Sequence, residues 1–127
     1  MVQTTGAFSG MSSNDIAASR TFYEDVLGIP VVDSSMGSIM LRLETGGLVF
    51  IYPKPDHVPA NFTILNFPVT DIDATVDALA AQGVTFQRYE GAYQDEKGIA
   101  RGKAANRGPD IAWFTDPAGN ILSVLEN

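Results

Sequence analysis

The sequence predicts an α+β fold made of two βαβββ modules, residues 1–58 and 59–127, within one domain. One observation is an internal repeat: residues 13–31, SNDIAASRTFYEDVLGIPV, and residues 69–86, VTDIDATVDALAAQGVTF, share a helical pattern that ends at a glycine. A second is that strand-like runs flank both blocks, which gives each helix an apolar surface to cover. We expect a curved mixed sheet around a central cleft, with the helices on the outer face.

Each repeated block carries the signals of one helix. Apolar residues recur at helical spacing in both blocks, which predicts one buried stripe per helix. Asn14 and Thr70 stand where an N-cap is expected, and Gly28 and Gly83 stand where a glycine in a left-handed conformation would end the helix.

The remaining segments of each module are predicted to be strands. They are short runs of apolar residues, several with alternating polarity, bounded by turn residues. The predicted strands are 5–12, 30–33, 37–44, 47–52, 61–69, 84–88, 109–115 and 121–126. Residues 89–108 are rich in glycine and charge and lack periodicity, so they are predicted to be a long loop, either a functional flap or a disordered tip.

Composition limits the classes of partner. The chain has 15 acidic and 8 basic residues, a net charge of −7, and such a surface repels nucleic-acid phosphates. It has no cysteine, which removes disulfides and thiolate metal sites and fits a reducing cytoplasm. The segment MVQTTGAFSG lacks a signal-peptide pattern, and no apolar run is long enough to span a bilayer. We therefore expect a cytoplasmic protein with no nucleic-acid and no membrane partner.

The segments NDIAASRTFYEDVLGIPVV, VTDIDATVDALAAQGV and IAWFTDPAGNILSV together resemble the vicinal oxygen chelate superfamily. That superfamily includes glyoxalase I, extradiol dioxygenases, fosfomycin-resistance proteins and bleomycin-resistance proteins. The resemblance covers nearly the whole chain and implies the paired-module fold and a homodimer. It does not imply one reaction, because a fold does not carry a function.

The resemblance also implies where a metal would be held, since the metal-binding members place ligands on the first and fourth strands of each module. The corresponding positions here are Phe8, Phe50, Ile64 and Ser123. Phenyl and alkyl groups have no donor atom, and a neutral hydroxyl is a poor ligand for a divalent cation. We therefore expect no metal, no other cofactor and no catalytic residue of the metalloenzyme type.

Strand parity predicts an apolar, aromatic lining for the cleft, which is typical of a small-molecule pocket. Arg101, Lys103 and Arg107 come from the long loop, and one of them could hold a ligand carboxylate if that loop folds over the cleft, with arginine favoured over lysine. Arg101 is the one selected as a candidate ligand-binding residue. The simpler alternative is that the aromatic residues fill the core and that His57 is an exposed loop histidine. The candidate ligand-binding residues from the strands are Phe8, Ser12, Phe50, Tyr52, Ile64, Asn66, Trp113 and Ser123.

Three functions stay open at this point. The favoured one is metal-independent binding of a small apolar or aromatic molecule, cationic ones included, in the manner of a bleomycin-resistance protein. The second is a metal-dependent lyase, isomerase or dioxygenase whose ligands lie elsewhere, with a metal-free enzyme that uses His57 or Tyr52 as a variant of it. The third is a structural or interaction module with a filled cleft.

Overall fold

The computed structural model describes all residues from Met1 to Asn127, and the chain divides into two compact units, Met1–Val58 and Pro59–Asn127. Each unit packs helical segments against one mixed sheet, so the predicted α+β class is confirmed. Neither α-helix combines the length and apolar character needed to cross a bilayer.

The first unit contains, in chain order, β1 (Ser9–Ser13), α1 (Ile16–Thr21), β2 (Val31–Asp33), a 3₁₀ turn (Ser35–Gly37), β3 (Ile39–Arg42) and β4 (Leu48–Pro53). Helix α1 continues into a π-helical turn, Phe22–Val26. The four strands form one sheet in the order β1-β4-β3-β2. Strand β1 runs parallel to β4, and the other two pairings are antiparallel.

The second unit contains, in chain order, β5 (Thr63–Pro68), α2 (Ile72–Ala81), β6 (Ala100–Arg101), β7 (Asp110–Thr115) and β8 (Ile121–Glu126). Its sheet repeats the topology of the first with the order β5-β8-β7-β6, and β5 runs parallel to β8. A bulge between Thr63 and Leu65 interrupts the pairing of β5, so Ile64 has no partner in the ladder.

The predicted strand over residues 84–88 is wrong. The strand beside β7 at this edge of the second sheet is instead β6, two residues from within the predicted loop. Residues 84–88 run as irregular backbone, although Gln87 donates its N–H to the carbonyl of Trp113 at 2.8 Å. An edge position needs only a few hydrogen bonds to one neighbour, so an alternating pattern nearby does not decide which segment fills it.

The predicted N-caps, Asn14 and Thr70, are each wrong by one residue, because the N-caps are Asp15 and Asp71. The side chains of Asp15 and Asp71 accept from the N–H groups of Ala18 and Ala74, each at 3.0 Å. A carboxylate at this position satisfies a free N–H group and also interacts favourably with the helix dipole.

The predicted glycine ends of the helical segments are confirmed. Gly28 has φ of 70° and Gly83 has φ of 91°, in the left-handed region where glycine is not strained.

Each unit buries its core between the helix and one face of the sheet. In the first unit Met11 and Ser13 of β1 point toward the helical segments: the Tyr23 hydroxyl donates to the Met11 sulfur at 3.9 Å, and Ser13 and Ser19 share a 2.7 Å hydrogen bond. The largest fully buried side chains of the two cores are Tyr23, Ile39, Leu41 and Ile51 in the first unit and Ile72, Ile99, Phe114 and Leu122 in the second. The opposite face of each sheet, which we call the helix-free face, is therefore where exposed aromatic and polar side chains remain.

Candidate functional site

Three aromatic rings form a ladder on the helix-free face of the first unit. Phe8 meets Phe50 edge to face with ring centroids 6.0 Å apart, and Phe50 stacks on Tyr52 with centroids also 6.0 Å apart. Residues 48, 50 and 52 alternate with the buried Val49 and Ile51, so the parity predicted for β4 is confirmed. Phe8 is 58% exposed and Tyr52 is 40% exposed, which leaves ring surface accessible to a ligand.

Ser12 lies on the same face and hydrogen-bonds to the only histidine of the chain. The Ser12 Oγ and the His57 Nδ1 are 2.5 Å apart. Parallel pairing with Tyr52 places Ser12 beside the aromatic ladder, and the turn in which the His57 N–H bonds to the Lys54 carbonyl at 2.9 Å brings the imidazole back to β1. The pair joins a hydroxyl to an imidazole nitrogen on the helix-free face.

In the second unit a polar row crosses the helix-free face. Asn66, Ser123 and Trp113 are neighbours in register on β5, β8 and β7. The hydroxyl of Ser123, fully buried, donates to Asn66 Oδ1 at 2.5 Å. Ser123 therefore satisfies its own hydrogen-bonding requirement inside the protein. Ile64, expected on this face, lies at the bulge and is half-buried.

A groove of about 510 Å³ lies in the second unit, where residues 91–109 pass beside β7. This volume is within the range of small-molecule sites, roughly 300–1,000 Å³. Trp113 lies on its floor and meets Tyr89 edge to face with centroids 5.4 Å apart. Desolvation beside these groups raises the pKa of the Tyr89 hydroxyl. The lining consists of Gly91, Ala92, Tyr93, Ala100, Arg101, Gly102, Ala105, Arg107, Pro109, Ile111 and Trp113.

Arg101 contributes to the wall of this groove, but its guanidinium is engaged with carboxylates of its own unit. Arg101 is paired in register with Asp110, on the helix side of the sheet, so its side chain does not share a face with Trp113. Its nitrogens bind Asp73 at 2.7 and 3.1 Å and Asp95 at 3.0 Å, and Asp110 lies at 3.6 Å. The Arg101 side chain, which was predicted to hold a ligand carboxylate, therefore links the long segment to α2 in this structure.

Charge partners keep these groups ionised. The hydrogen bond from Arg101 is the main cause that lowers the pKa of Asp73 to about 2. The bond to Asp73 in turn raises the pKa of Arg101 above its ordinary value. The hydrogen bond from Lys103 likewise lowers the pKa of Glu126, whose Oε1 also accepts the N–H of Ile72 at the start of α2.

The four positions where the resemblance predicts metal ligands do not fit a metal. Phe8 and Phe50 contribute rings, Ile64 contributes an alkyl chain, and the Ser123 hydroxyl is already bonded to Asn66. The structure also contains no group of three or more His, Asp or Glu side chains arranged to hold a metal ion. The donor set at these positions is therefore unsuited to a divalent cation.

Tyr93 was not expected at a site, and Arg107 was expected there only as an alternative to Arg101. Arg107 lies over the Tyr93 ring with its guanidinium carbon 6.0 Å from the ring centroid. The available signal was the long segment itself, since loops of this length in compact domains are usually functional or disordered. No periodicity in that segment indicates which of its side chains meet.

Comparison with known proteins assigns the fold and the family. The sequence model of the Glyoxalase/Bleomycin resistance protein/Dioxygenase superfamily matches residues 7–124. The chain belongs to this superfamily, which confirms the predicted resemblance. A comparison with curated proteins finds no match.

Solved structures with the same fold have distant sequences. An integron cassette protein from the mobile metagenome of V. cholerae is 21% identical, with 99% of this chain and 98% of that chain covered and a TM-score of 0.64. FosX, a fosfomycin resistance protein from Listeria monocytogenes, is 12% identical, with 100% and 95% covered and a TM-score of 0.70. A lactoylglutathione lyase from Agrobacterium tumefaciens is 16% identical, with 97% and 94% covered and a TM-score of 0.66. At these identities the likeness establishes the fold alone.

Proposed function

We propose that this protein binds a small apolar or aromatic molecule without a metal ion, in the manner of a bleomycin-resistance protein. The ligand would contact the aromatic surface on the helix-free face of the first unit, by stacking and shape and not by coordination. This function accounts for two features together: exposed aromatic surface within the units, and the lack of suitable donors at the positions where superfamily enzymes hold a metal.

The single observation that carries the proposal is the aromatic ladder of Phe8, Phe50 and Tyr52. Two of its members are more than a third exposed, although burial of an aromatic ring is favourable by about 25 cal/mol for each Å² removed from water. A ligand ring placed against this surface would recover part of that free energy. Aromatic faces also attract cations, so cationic molecules belong to the proposed ligand class.

One polar group on the helix-free face of each unit supports recognition and not chemistry. The hydroxyls of Ser12 and Ser123 are each bonded to a neighbouring side chain, so each has a defined orientation. Fixed polar points beside an apolar surface orient a ligand in a small-molecule site. We assign no catalytic residue.

The alternative function is that of a metal-dependent lyase, isomerase or dioxygenase. Membership of the superfamily supports this alternative. The matched family is named for glyoxalases and dioxygenases as well as for bleomycin resistance, and a lactoylglutathione lyase shares the fold. This function requires ligands other than the four positions considered above. Elemental analysis of protein purified without chelator and without metal-affinity resin decides the matter, because a stoichiometric divalent metal would establish the alternative and remove the proposal.

Thermal unfolding with a panel of antibiotics and aromatic metabolites tests the proposal itself. A bound molecule raises the melting temperature, since binding to the folded state alone stabilises by about 2.7 kcal/mol at a hundred times Kd. The upward shift should survive treatment with a chelator. It should be lost in Phe50→Ala and kept in Val58→Ala, which removes an exposed aliphatic side chain outside the strands. Stabilisation by none of the panel, in a protein that also lacks metal, would argue against small-molecule binding.

We further propose that the protein is a cytoplasmic homodimer whose partner is this small molecule, with no nucleic acid or membrane involved. Superfamily membership and the net charge of −7 support this proposal. Light scattering during size-exclusion chromatography measures the mass directly, and a mass near 13.6 kDa at micromolar concentration would contradict the dimer.

A further inference from the structure

We propose that the groove of the second unit binds a planar molecule that carries an anionic group, with Arg107 as the partner of that charge. This inference rests on the proposed small-molecule binding and adds a second binding location, other than the aromatic ladder of the first unit, and a charge for the ligand that binds there. No part of it uses the four positions that correspond to metal ligands in the superfamily.

The groove has the composition that stacks a flat molecule. Trp113 and Ile111 of β7 lie on its floor, and alanine and proline side chains form much of the remaining lining. Trp113 is only half-buried, and its ring is held edge to face by Tyr89 at 5.4 Å, so the indole keeps a fixed orientation. A fixed aromatic surface beside small side chains suits an aromatic ligand.

Arg107 differs from the other basic residues of its unit because no acceptor in the structure engages its guanidinium. Arg101 and Lys103 are ion-paired with carboxylates, and Arg88 donates to the carbonyls of Asp95 and Glu96. Lys97 pairs with two aspartates of α2 at 3.0 and 3.4 Å. The guanidinium of Arg107 instead lies over the Tyr93 ring, 6.0 Å from its centroid. All of its N–H donors therefore remain available to a ligand carboxylate or phosphate, which Arg binds bidentately.

Tyr93 contributes a second exposed aromatic surface on the same groove. Its side chain is 82% exposed, and its backbone has φ of 52°, which is uncommon for a bulky residue. Such a conformation is retained only where the surrounding structure enforces it, and backbone outliers of this kind cluster at ligand-binding positions. The ring and Arg107 together present an aromatic face and a cation to the groove.

The segment that carries Arg107 is held by other residues. Gln94 donates to the carbonyls of Gln87 and Gly98, each at 2.7 Å, and the Asp95 carboxylate accepts the N–H groups of Lys97 and Ile99, each at 2.9 Å. The Arg107 contact to Gly102, at 2.8 Å, is made by its backbone N–H and does not depend on its side chain. Replacement of the guanidinium should therefore leave the groove intact.

The overall negative charge does not exclude an anionic ligand. Exposed charges more than a Debye length away, about 8 Å at physiological ionic strength, are largely screened. Asp95 and Asp110 lie 3.0 and 3.6 Å from the Arg101 guanidinium, which offsets part of their negative charge. A guanidinium in direct contact with the ligand should therefore outweigh the distant acidic surface.

The test uses the single tryptophan of the chain, which gives one indole signal in a nitrogen–proton correlation spectrum. The full-length protein is titrated with naphthoate, naphthylmethanol and naphthylmethylammonium, which share a ring system and differ in charge. We expect naphthoate to shift the Trp113 signal with the lowest Kd. Arg107→Gln should weaken naphthoate binding about tenfold and leave the neutral probe nearly unchanged, because only the charged hydrogen bonds are lost.

Arg20→Gln is the matched control, since it removes the same charge from α1 of the first unit, where Arg20 pairs with Glu24 and Asp33. This variant should bind naphthoate like the wild type. Equal affinities for the three probes, or an Arg107→Gln variant with wild-type affinity, would overturn the anion assignment and leave small-molecule binding in place. A Trp113 signal that none of the probes shifts would overturn the groove as the site. Binding elsewhere would still register in the thermal unfolding experiment, so the two failures are distinguishable.

Discussion

Both terminal nitrogens of Arg101 bind the carboxylate of Asp73, at 3.1 and 2.7 Å. This pair joins β6, in the long segment of the second unit, to the first turn of α2. The same guanidinium reaches Asp95 at 3.0 Å, so a single side chain connects three parts of the unit. A planar guanidinium supplies this geometry, whereas an ammonium group acts as a single point charge.

Replacement of Arg101 should loosen the long segment before it unfolds the unit. In Arg101→Ala, Asp73, Asp95 and Asp110 lose their shared cation and repel one another. We expect cleavage between residues 88 and 110 by a nonspecific protease to become at least several-fold faster, because local opening governs such cleavage.

Arg101→Lys is the matched variant for this experiment. It keeps the charge and loses the bidentate geometry, so its cleavage rate should fall between those of the wild type and the alanine variant. Equal cleavage rates in all three proteins would contradict the role of this cluster.

Stability should fall in acid partly through Asp73. Its pKa is lowered to about 2 in the folded protein, below an ordinary value near 3.9 in the unfolded chain. A carboxylate with a lowered folded-state pKa stabilises the fold fully above the unfolded value and loses that contribution as the pH falls toward the folded value. The contribution should therefore be complete at neutral pH and decline between about pH 4 and pH 2.

Urea unfolding of Asp73→Asn at neutral pH and near pH 3 measures this effect. The variant should be less stable than the wild type at neutral pH, and the difference should shrink in acid. A difference that stays constant across this range would show that the stabilisation does not come from the ionised carboxylate.

The buried hydrogen bond between Ser123 and Asn66 should contribute measurably to stability. Ser123→Ala leaves the Asn66 amide oxygen without its donor, at a cost of about 1 kcal/mol. Ser9→Ala, at an exposed position of β1, should change the free energy of unfolding by less than about 0.5 kcal/mol.

A double-mutant cycle with Asn66→Ala separates this bond from other effects. Because the two side chains are in direct contact, the coupling free energy should exceed about 0.5 kcal/mol. A coupling free energy near zero would show that the contact contributes nothing to folding.

Gly102 tests how closely the long segment folds back on itself. A Cβ added there would lie 2.3 Å from the Pro109 carbonyl oxygen and 2.9 Å from that of Gly108, so the backbone would have to move. We expect Gly102→Ala to destabilise the unit by about 2 kcal/mol. Gly6→Ala, where an added Cβ meets nothing within 4 Å, should be close to neutral.

Denaturant midpoints compare the two glycine variants. If both lost the same stability, the added methyl group at Gly102 would have been accommodated without the predicted clash. The indole signal of Trp113 should also move in Gly102→Ala, since both residues line the groove.

Much of the fold could be predicted from sequence because its signals are local. Alternation along β4 correctly placed Phe50 and Tyr52 opposite Val49 and Ile51, and glycines in left-handed conformations correctly marked the helix ends. The edge strand was wrong because Ala100 and Arg101 are recruited by their pairing with β7, a long-range relationship without a local pattern.

The candidate site was less predictable for the same reason. Strand periodicity selects a face but does not show which residues of an irregular segment meet it. Arg101 was chosen by its charge, yet the three carboxylates that engage it come from α2, the long segment and β7. Arg107 could be distinguished from Arg101 only once those partners were known.

The strand order has a consequence for synthesis on the ribosome. In each sheet the last strand in chain order, β4 or β8, lies between two partners that are made before it. Neither sheet can therefore close progressively as the nascent chain emerges, and both β5 and β7 must wait for residues 121–126. Until then their unpaired edges are open to chaperones and to aggregation.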